Sequence, residues 1–327
     1  MTRILTACNP GVQGVSPPLL EIRDLKVHFP DGAGPVKAVD RIDLTVRDKE
    51  CFGIIGESGS GKTVLCLAIL GLLPEDASCS GEVLFRGKTL FSMSAPGIRE
   101  LHGREIGAIF QNPAASLDPV FTVGNQLSEA LGRGAGVSGT DMKKNVMQLL
   151  DRVSIKEPAL RIRQYPHELS GGLRQRVMVA MGIAAEPSLI VADEPTSGLD
   201  LRVKRRVISL LQEISQDTAM FVITHDLELA EKLFETLAVM YAGEIVEIAS
   251  CKEFFQAPMH PFSEGLLNSL PSRGMQPIPG SSPSLLALPT GCRFFPRCRH
   301  AMEVCKTRHP ELYSVEGKRQ VRCFKYA

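Results

Sequence analysis

The sequence predicts an α/β domain built on a mostly parallel sheet, and three observations carry that expectation. Short continuous apolar runs at 51–55, 189–192, 219–224 and 237–240 suit strands buried on both faces. Long helical patterns separate the second run from the third and the third from the fourth, the order of strands joined by right-handed crossovers. A glycine-rich stretch follows the first run and leads into a helical pattern, the place where such folds hold phosphate.

A chain of 327 residues allows about two domains and a sizeable core. Apolar residues at 44% and charged residues at 22% make an ordinary soluble profile. Lys plus Arg number 37 against 36 Asp plus Glu, so a polycation made to grip nucleic acid is excluded and no nucleic-acid partner is expected. No apolar run reaches the roughly 18 residues of a spanning helix, and 64–73 reads as a buried core helix. The start of the chain has one basic residue, Arg3, and no apolar block before Pro10, so no export signal is expected. That favours a cytosolic chain, one still able to dock on a membrane protein.

Taken in order, 1–18 is a loose leader of Pro, Gly and small polar residues. Positions 20 and 22, then 25, 27 and 29, are apolar, a strand with a slip in it, and Asp31-Gly32 is a turn. Ile42, Leu44 and Val46 alternate as a second strand, and 51–55 is the first core strand. The helix after the glycine-rich stretch ends near Pro74, and 82–85 and 106–110 are strands. Residues 122–168 are mainly helical and rather polar, with a glycine-rich break at 132–139. A helix over 173–185 places Val177, Met181 and Ala184 on one stripe. Between 271 and 290, five prolines, two glycines and four serines fill 11 of 20 positions, which reads as a linker.

The chemistry concentrates at strand ends. Gly56-Glu57-Ser58-Gly59-Ser60-Gly61-Lys62-Thr63 matches G-x-x-x-x-G-K-[ST] in full, after a core strand and before a helix. Its amides converge on phosphate, Lys62 reaches the β- and γ-phosphates of ATP, and the Thr63 hydroxyl ligates Mg²⁺. The 189–192 run delivers Asp193 to the same sheet edge to hold Mg²⁺ through water, and Glu194 follows to polarise the attacking water. Gln111 and His225 also end strands on that edge. Gln111 is positioned to sense Mg²⁺ or water, and His225 to bond the γ-phosphate and align Glu194. Ser170-Gly171-Gly172 opens a helix and makes a second anion cradle. A chain that already owns a phosphate loop has no use for a second cradle, unless two chains sandwich each nucleotide.

Together these motifs resemble an ATP-binding subunit of an ABC transporter, over roughly residues 19–327. The resemblance implies the P-loop NTPase core of the ABC ATPase type, over 19–250. That core has a mostly parallel sheet, an antiparallel β subdomain and a helical subdomain at about 120–175. It implies a Q-loop at Gln111, a signature at 169–172, a D-loop at 197–200 whose Asp200 connects to the opposite site, and a switch at His225. Phe29 matches the aromatic that stacks on adenine; a buried strand residue is the alternative. Gln111-Asn112-Pro113, Ser116-Leu117-Asp118-Pro119, Arg174-Gln175-Arg176, His260-Pro261-Phe262 and Gly291-Cys292-Arg293-Phe294 narrow the resemblance to the oligopeptide/dipeptide/nickel uptake branch. Leu173 stands where that branch commonly has Met, and Phe262 near a usual Tyr. The implied partners are a second ABC ATPase subunit, often a different chain, two transmembrane permease subunits and an extracytoplasmic substrate-binding protein. The implied place is the cytoplasmic face of the inner membrane. Peptides are the first substrate choice, with nickel or a metal chelate behind them. A soluble ABC ATPase of repair or translation uses the same half-sites, but usually with coiled-coil arms or tandem cores that this chain lacks.

The segment 251–290 connects this core to a cysteine-rich extension at 291–327. Of nine cysteines, Cys8, Cys51, Cys66, Cys79 and Cys251 are scattered, and Cys292, Cys298, Cys305 and Cys323 crowd the last 36 residues. An odd count in a chain expected to be cytosolic argues against a disulfide framework. From 292 onward nine Lys/Arg face three Asp/Glu, so the extension is basic while the body is acidic. The spacing C-x₅-C-x₆-C-x₁₇-C is loose for structural zinc and is not the bacterial ferredoxin run. Four soft ligands among basic residues leave three readings: an iron–sulfur cluster, zinc, or free thiols. The resemblance favours a [4Fe–4S] cluster, with a structural or sensing role.

Overall fold

The computed structural model describes residues 17–102, 104–134 and 141–327; the leader at 1–16 and the part of the glycine-rich break at 135–139 lie outside them. Along the chain run β1 (Leu20–Phe29), β2 (Val36–Val46), β3 (Cys51–Ile55), β4 (Ser78–Phe85), β5 (Lys88–Thr89) and β6 (Ile106–Ile109). After a helical segment come β7 (Leu189–Asp193), β8 (Ala219–Thr224), β9 (Thr236–Tyr241), β10 (Glu244–Ser250), β11 (Tyr313–Ser314) and β12 (Gln320–Val321). One sheet has the order β2-β1-β4-β5 and is antiparallel. The other has the order β11-β12-β10-β9-β3-β8-β7-β6, with β9, β3, β8, β7 and β6 parallel.

The slip read in β1 is a bulge. Pairing shifts register between Ile22 and Leu25 and between Arg23 and Lys26, and Asp24 takes a left-handed φ of 42°. The extra residue returns Leu25 and Val27 to the buried face. Strand β4 starts at Ser78, four residues before the apolar signal, because the exposed polar residues Ser78, Cys79 and Ser80 are held only by pairing with β1. Backbone partners supply what periodicity does not show.

The central strands read as unbroken apolar runs because each face meets its own core. Cys51 and Ile55 of β3, Ile190 and Ala192 of β7, and Met220 and Val222 of β8 share a core with the helices Gly171–Ile183, Leu201–Ser215 and Leu227–Leu233. Phe52 and Ile54, Leu189 and Val191, and Phe221 and Ile223 face the helix Lys62–Ile69 and the antiparallel sheet. That helix is shorter than the apolar run suggested: it ends at Ile69, and Gly71 turns the chain with φ 61°. The helix Gly171–Ile183 starts two residues before the apolar stripe, capped by Ser170. Val177, Met178, Val179, Ala180 and Ile183 are all buried, while Met181 is only half-buried. The helix is wedged against β6 and three other helices, so a single stripe underestimates its burial.

Helices Val123–Gly134, Asp141–Arg152 and Pro158–Arg161 form the helical segment, packed through Leu127, Val146, Leu149 and Leu150. Beyond the parallel strands, Ala242 and Gly243 turn β9 into β10 with φ values of 47° and 87°, a two-residue hairpin of the favoured hand. The chain end then joins this sheet. β12 pairs with β10 through Glu247 and Val321, and β11 pairs with β12. The Pro- and Ser-rich stretch is laid against the body, where Leu285 O accepts from Lys37 N at 3.2 Å. No helix among the described residues is long and apolar enough to cross a membrane.

Candidate nucleotide site

Parallel strands deliver their carboxyl ends to one edge, and the loop after β3 sits there. Gly61 has φ 104°, and a Cβ on it would lie 2.0 Å from Ala38 O. Gly56 is closed in the same way by Met240 O at 2.1 Å. Neither position accepts a side chain while the loop keeps its curl. Lys62 Nζ donates to Gly56 O at 2.9 Å and Glu57 O at 2.8 Å, so the lysine lies along the loop it serves. Burial lowers its pKa, opposed by the nearby charges of Glu194, Asp193 and Glu57.

Asp193 ends β7 beside this lysine. Burial pushes its carboxyl above the usual range; a hydrogen bond with Thr63 and the charge of Lys62 oppose this, while the charge of Glu194 adds to it. Its Oδ1 is buried without a hydrogen-bond partner. A buried carboxylate oxygen left open beside a threonine hydroxyl, in a place that resists negative charge, fits a hard divalent cation.

Glu194 follows in the left-handed region, φ 49°, tied by its N–H to Ile223 O at 2.8 Å. That turn aims its carboxylate along β8 rather than along β7. Thr224 Oγ1 donates to Oε2 at 3.1 Å, and His225 Nδ1 stands 2.7 Å from Oε1. An ionised carboxylate only accepts, so Nδ1 carries the imidazole proton and Nε2 is left for another partner. Glu194 is buried, whereas the His225 ring is 61% exposed.

The structure therefore brings together the phosphate loop, Asp193, Glu194 and His225. A cleft of about 700 Å³ is lined by Gly56, Glu57, Glu194, Ser197 and His225. Gln111 is exposed beyond the end of β6, and Phe29 is half-buried at the end of β1; neither lines this cleft. Ser170, Gly171 and Gly172 do not line it either. They form the mouth of the helix Gly171–Ile183, with Ser170 Oγ accepting from Leu173 N at 3.4 Å and both Ser170 and Gly171 exposed. A Cβ on Gly172 would meet Val203 at 2.7 Å, and Val203 is in the first turn of the helix Leu201–Ser215 that Asp200 caps. The signature turn and the Asp200 turn are thus packed as one surface.

Sequence reasoning missed the residues that hold these in place. Thr224 orients Glu194, and Asp226 takes Lys204 Nζ at 2.6 Å, linking the strand end after β8 to the Asp200 helix. Arg297, in the extension, grips Glu57 of the phosphate loop at 2.8 and 2.9 Å. Burial acts to raise the Glu57 carboxyl, but the Arg297 and Ser282 hydrogen bonds bring it below the usual range. No signal in the sequence joins positions so far apart.

Comparison with known proteins follows this geometry. Residues 39–197 match the ABC transporter family, and residues 246–305 match the C-terminal region of oligopeptide/dipeptide transporters. The dipeptide transport ATP-binding protein DppD of Haemophilus influenzae is 42% identical over 93% of this chain and 94% of its own length. The oligopeptide transport ATP-binding protein OppD of Salmonella typhimurium is 41% identical over 94% of this chain and 93% of its own. Among solved structures, the dimeric ATP-binding cassette MJ0796 bound to ADP and Pi superposes with a TM-score of 0.65, at 25% identity, over 71% of this chain and 98% of that one. The strand-end site and this similarity agree: the chain belongs to the ABC transporter ATP-binding proteins, in the oligopeptide/dipeptide transporter group.

Proposed function

We propose that this chain hydrolyses ATP to drive import of di- or oligopeptides, as one of two ATPase subunits on the cytoplasmic face of an inner-membrane permease. The observation that carries the reading is the separation of the two anion cradles. Gly56 and Glu57 of the phosphate loop line the cleft, and Ser170 and Gly171 are exposed outside it on the same chain. Each nucleotide then needs the loop of one subunit and the helix mouth of another, with Asp200 carrying contact across the seam. Phe29 supports the adenine, and Lys62 and the loop amides support the β- and γ-phosphates. Thr63 and Asp193, with Gln111 nearby in this reading, would hold Mg²⁺, which supplies charge neutralisation on the transferring phosphoryl group. Glu194, held by Thr224 and His225, would orient water for in-line attack, and Nε2 of His225 would be left to bond the γ-phosphate.

Closing and reopening of the pair drives the permease. The helical subdomain is the docking face. Val120 and Phe121 are 70% and 51% exposed there, beside a groove of about 420 Å³ that also includes Gln126 and Met181. An extracytoplasmic binding protein delivers the peptide. The test is reconstitution of the chain with its permease and partner ATPase in proteoliposomes. ATP-dependent uptake of labelled dipeptide or oligopeptide is expected. Uptake of nickel alone would move the substrate to the metal branch, and assembly without any membrane partner would overturn the transport reading.

For the extension, the domain reading keeps 291–327 as a structural appendix, and a [4Fe–4S] cluster is the occupant proposed for Cys292, Cys298, Cys305 and Cys323. Support comes from N–H groups of Phe294, His300 and Lys325 directed at Cys292, Cys298 and Cys323. Among the described residues no three His, Cys, Asp or Glu side chains are grouped to hold a metal ion. Burial pushes the Cys292 thiol up to about 12, so ligation has to displace its proton. Anaerobic purification with assays for iron, acid-labile sulfide and zinc tests this. A fully folded chain containing none of the three refutes it.

A further inference from the structure

We infer that Arg297 is a positioning residue for the nucleotide site: it fixes the phosphate loop from outside through Glu57 and so makes ATP affinity depend on how the C-terminal extension is seated. The inference rests on the ATP-site reading above and adds a residue to it from outside the ATPase core.

The contact is built, not incidental. Arg297 Nη1 and Nη2 reach Glu57 Oε2 and Oε1 at 2.8 and 2.9 Å, a two-pronged pair. The guanidinium is only 5% exposed. Its Nε donates to Pro279 O at 2.9 Å, Nη1 also reaches Tyr241 Oη at 3.3 Å, and the cation lies 5.8 Å from the Tyr241 ring centre and 5.9 Å from that of Phe294. Ser282 donates its hydroxyl to the same Glu57 carboxylate. The extension therefore satisfies both oxygens of one side chain in the phosphate loop.

Glu57 is the right residue to hold. Its own carbonyl accepts from Lys62 Nζ at 2.8 Å and from Ser60 N at 3.3 Å. Moving the Glu57 side chain moves the carbonyl that places the phosphate-binding lysine. A second arginine of the same segment works on the other side of the loop. Arg293 donates to Ala242 O at 2.6 Å and bonds Asp40, while Gly243 N donates to Ser60 O at 2.9 Å. The β9–β10 turn and Glu57 thus bracket the loop, and each is held by an arginine from a stretch of five residues. An amide cradle binds phosphate tightly only if its curl is already set, so losing one support costs affinity before it costs chemistry.

The experiment measures ATP-Mg affinity on the full chain for wild type, Arg297→Met, Arg297→Lys, Glu57→Gln and the double variant Glu57→Gln/Arg297→Met, with Lys62→Ala as reference. It also measures KM and kcat in the assembled transporter. Arg297→Met and Glu57→Gln are each expected to weaken ATP binding about tenfold, or about 1.4 kcal/mol. The double variant should be no weaker than either single, because the two act as one unit. Arg297→Lys keeps the charge without the fork and should fall between. For Arg297→Met, KM is expected to rise while kcat at saturating ATP stays within about twofold, a split that general destabilisation does not produce. Unchanged affinity in folded Arg297→Met or Glu57→Gln overturns the inference, as do additive losses in the double variant. If Arg297→Met does not fold, Glu57→Gln carries the test alone. A Lys62→Ala chain that still binds ATP normally would instead defeat the ATP-site reading, so the two failures are distinguishable.

Discussion

Replacing Glu194 by glutamine is expected to separate nucleotide binding from bond cleavage. The carboxylate holds two partners, Thr224 Oγ1 at 3.1 Å and His225 Nδ1 at 2.7 Å. A carboxamide keeps His225 on its oxygen. Its NH₂ then faces the Thr224 hydroxyl oxygen, which accepts from Asp226 N at 3.0 Å and has a second lone pair for the amide. The fold therefore exchanges charge-assisted bonds for neutral ones, at about 1 kcal/mol. Glu194 makes no hydrogen bond to Lys62, which stays on Gly56 and Glu57. Burial chiefly keeps the Asp193 carboxyl high, and removing the Glu194 charge takes away a lesser contribution. ATP-Mg binding is thus preserved or strengthened. In the proposed role Glu194 positions water, so turnover is expected to fall by about 10²–10⁴, or about 3–5 kcal/mol of barrier. Phosphate release by the reconstituted transporter measures the loss, and light scattering of the isolated variant with ATP should show trapped closed pairs. Phosphate release at the wild-type rate would refute the assignment of Glu194.

Gly61→Ala forces a side chain onto φ 104° and against Ala38 O, so the loop must uncurl. Loss of the ATP-induced rise in melting temperature is expected, with strain of about 1–3 kcal/mol lowering the melting temperature without nucleotide as well. His260 is completely buried, with Nδ1 accepting from Phe262 N at 3.1 Å, and burial, then the charge of Arg322, push its pKa down to about 3. The unfolded chain binds this proton near pH 6.5 and the folded chain does not, so stability present above that pH is lost as pH falls toward 3. Between pH 7.5 and 5.5 the wild type should lose about 1.4 kcal/mol more than His260→Asn in urea unfolding. Equal losses would show that His260 takes up its proton without unfolding. Arg293→Met breaks a buried pair with Asp40 and should cost about 3–5 kcal/mol in the same assay.

The core strands, the phosphate loop and the acidic pair after β7 were legible because each is written in neighbouring residues. An apolar run with a glycine-rich turn specifies a strand, a curl and a helix start through local geometry. The bulge in β1 was legible for the same reason: a one-residue shift in alternation has to be absorbed somewhere. The first half of β4 was not, since Ser78–Ser80 carry no apolar pattern and are ordered by β1 alone.

What the sequence by itself determined was the local elements: the buried strands, the glycine-rich curl and the acidic residues at the end of β7. The tertiary structure decided how they are held and aimed. Thr224 and a left-handed turn hold Glu194 beside β8, and the exposed Ser170 helix mouth is not part of the cleft that Glu194 lines. The extension is built into the sheet at β12 and clamps Glu57 across 240 positions of chain. Such contacts link surfaces that meet only after both sheets have formed. Short-range patterns record propensity and burial, and they hold nothing about the partner that arrives from a distant segment.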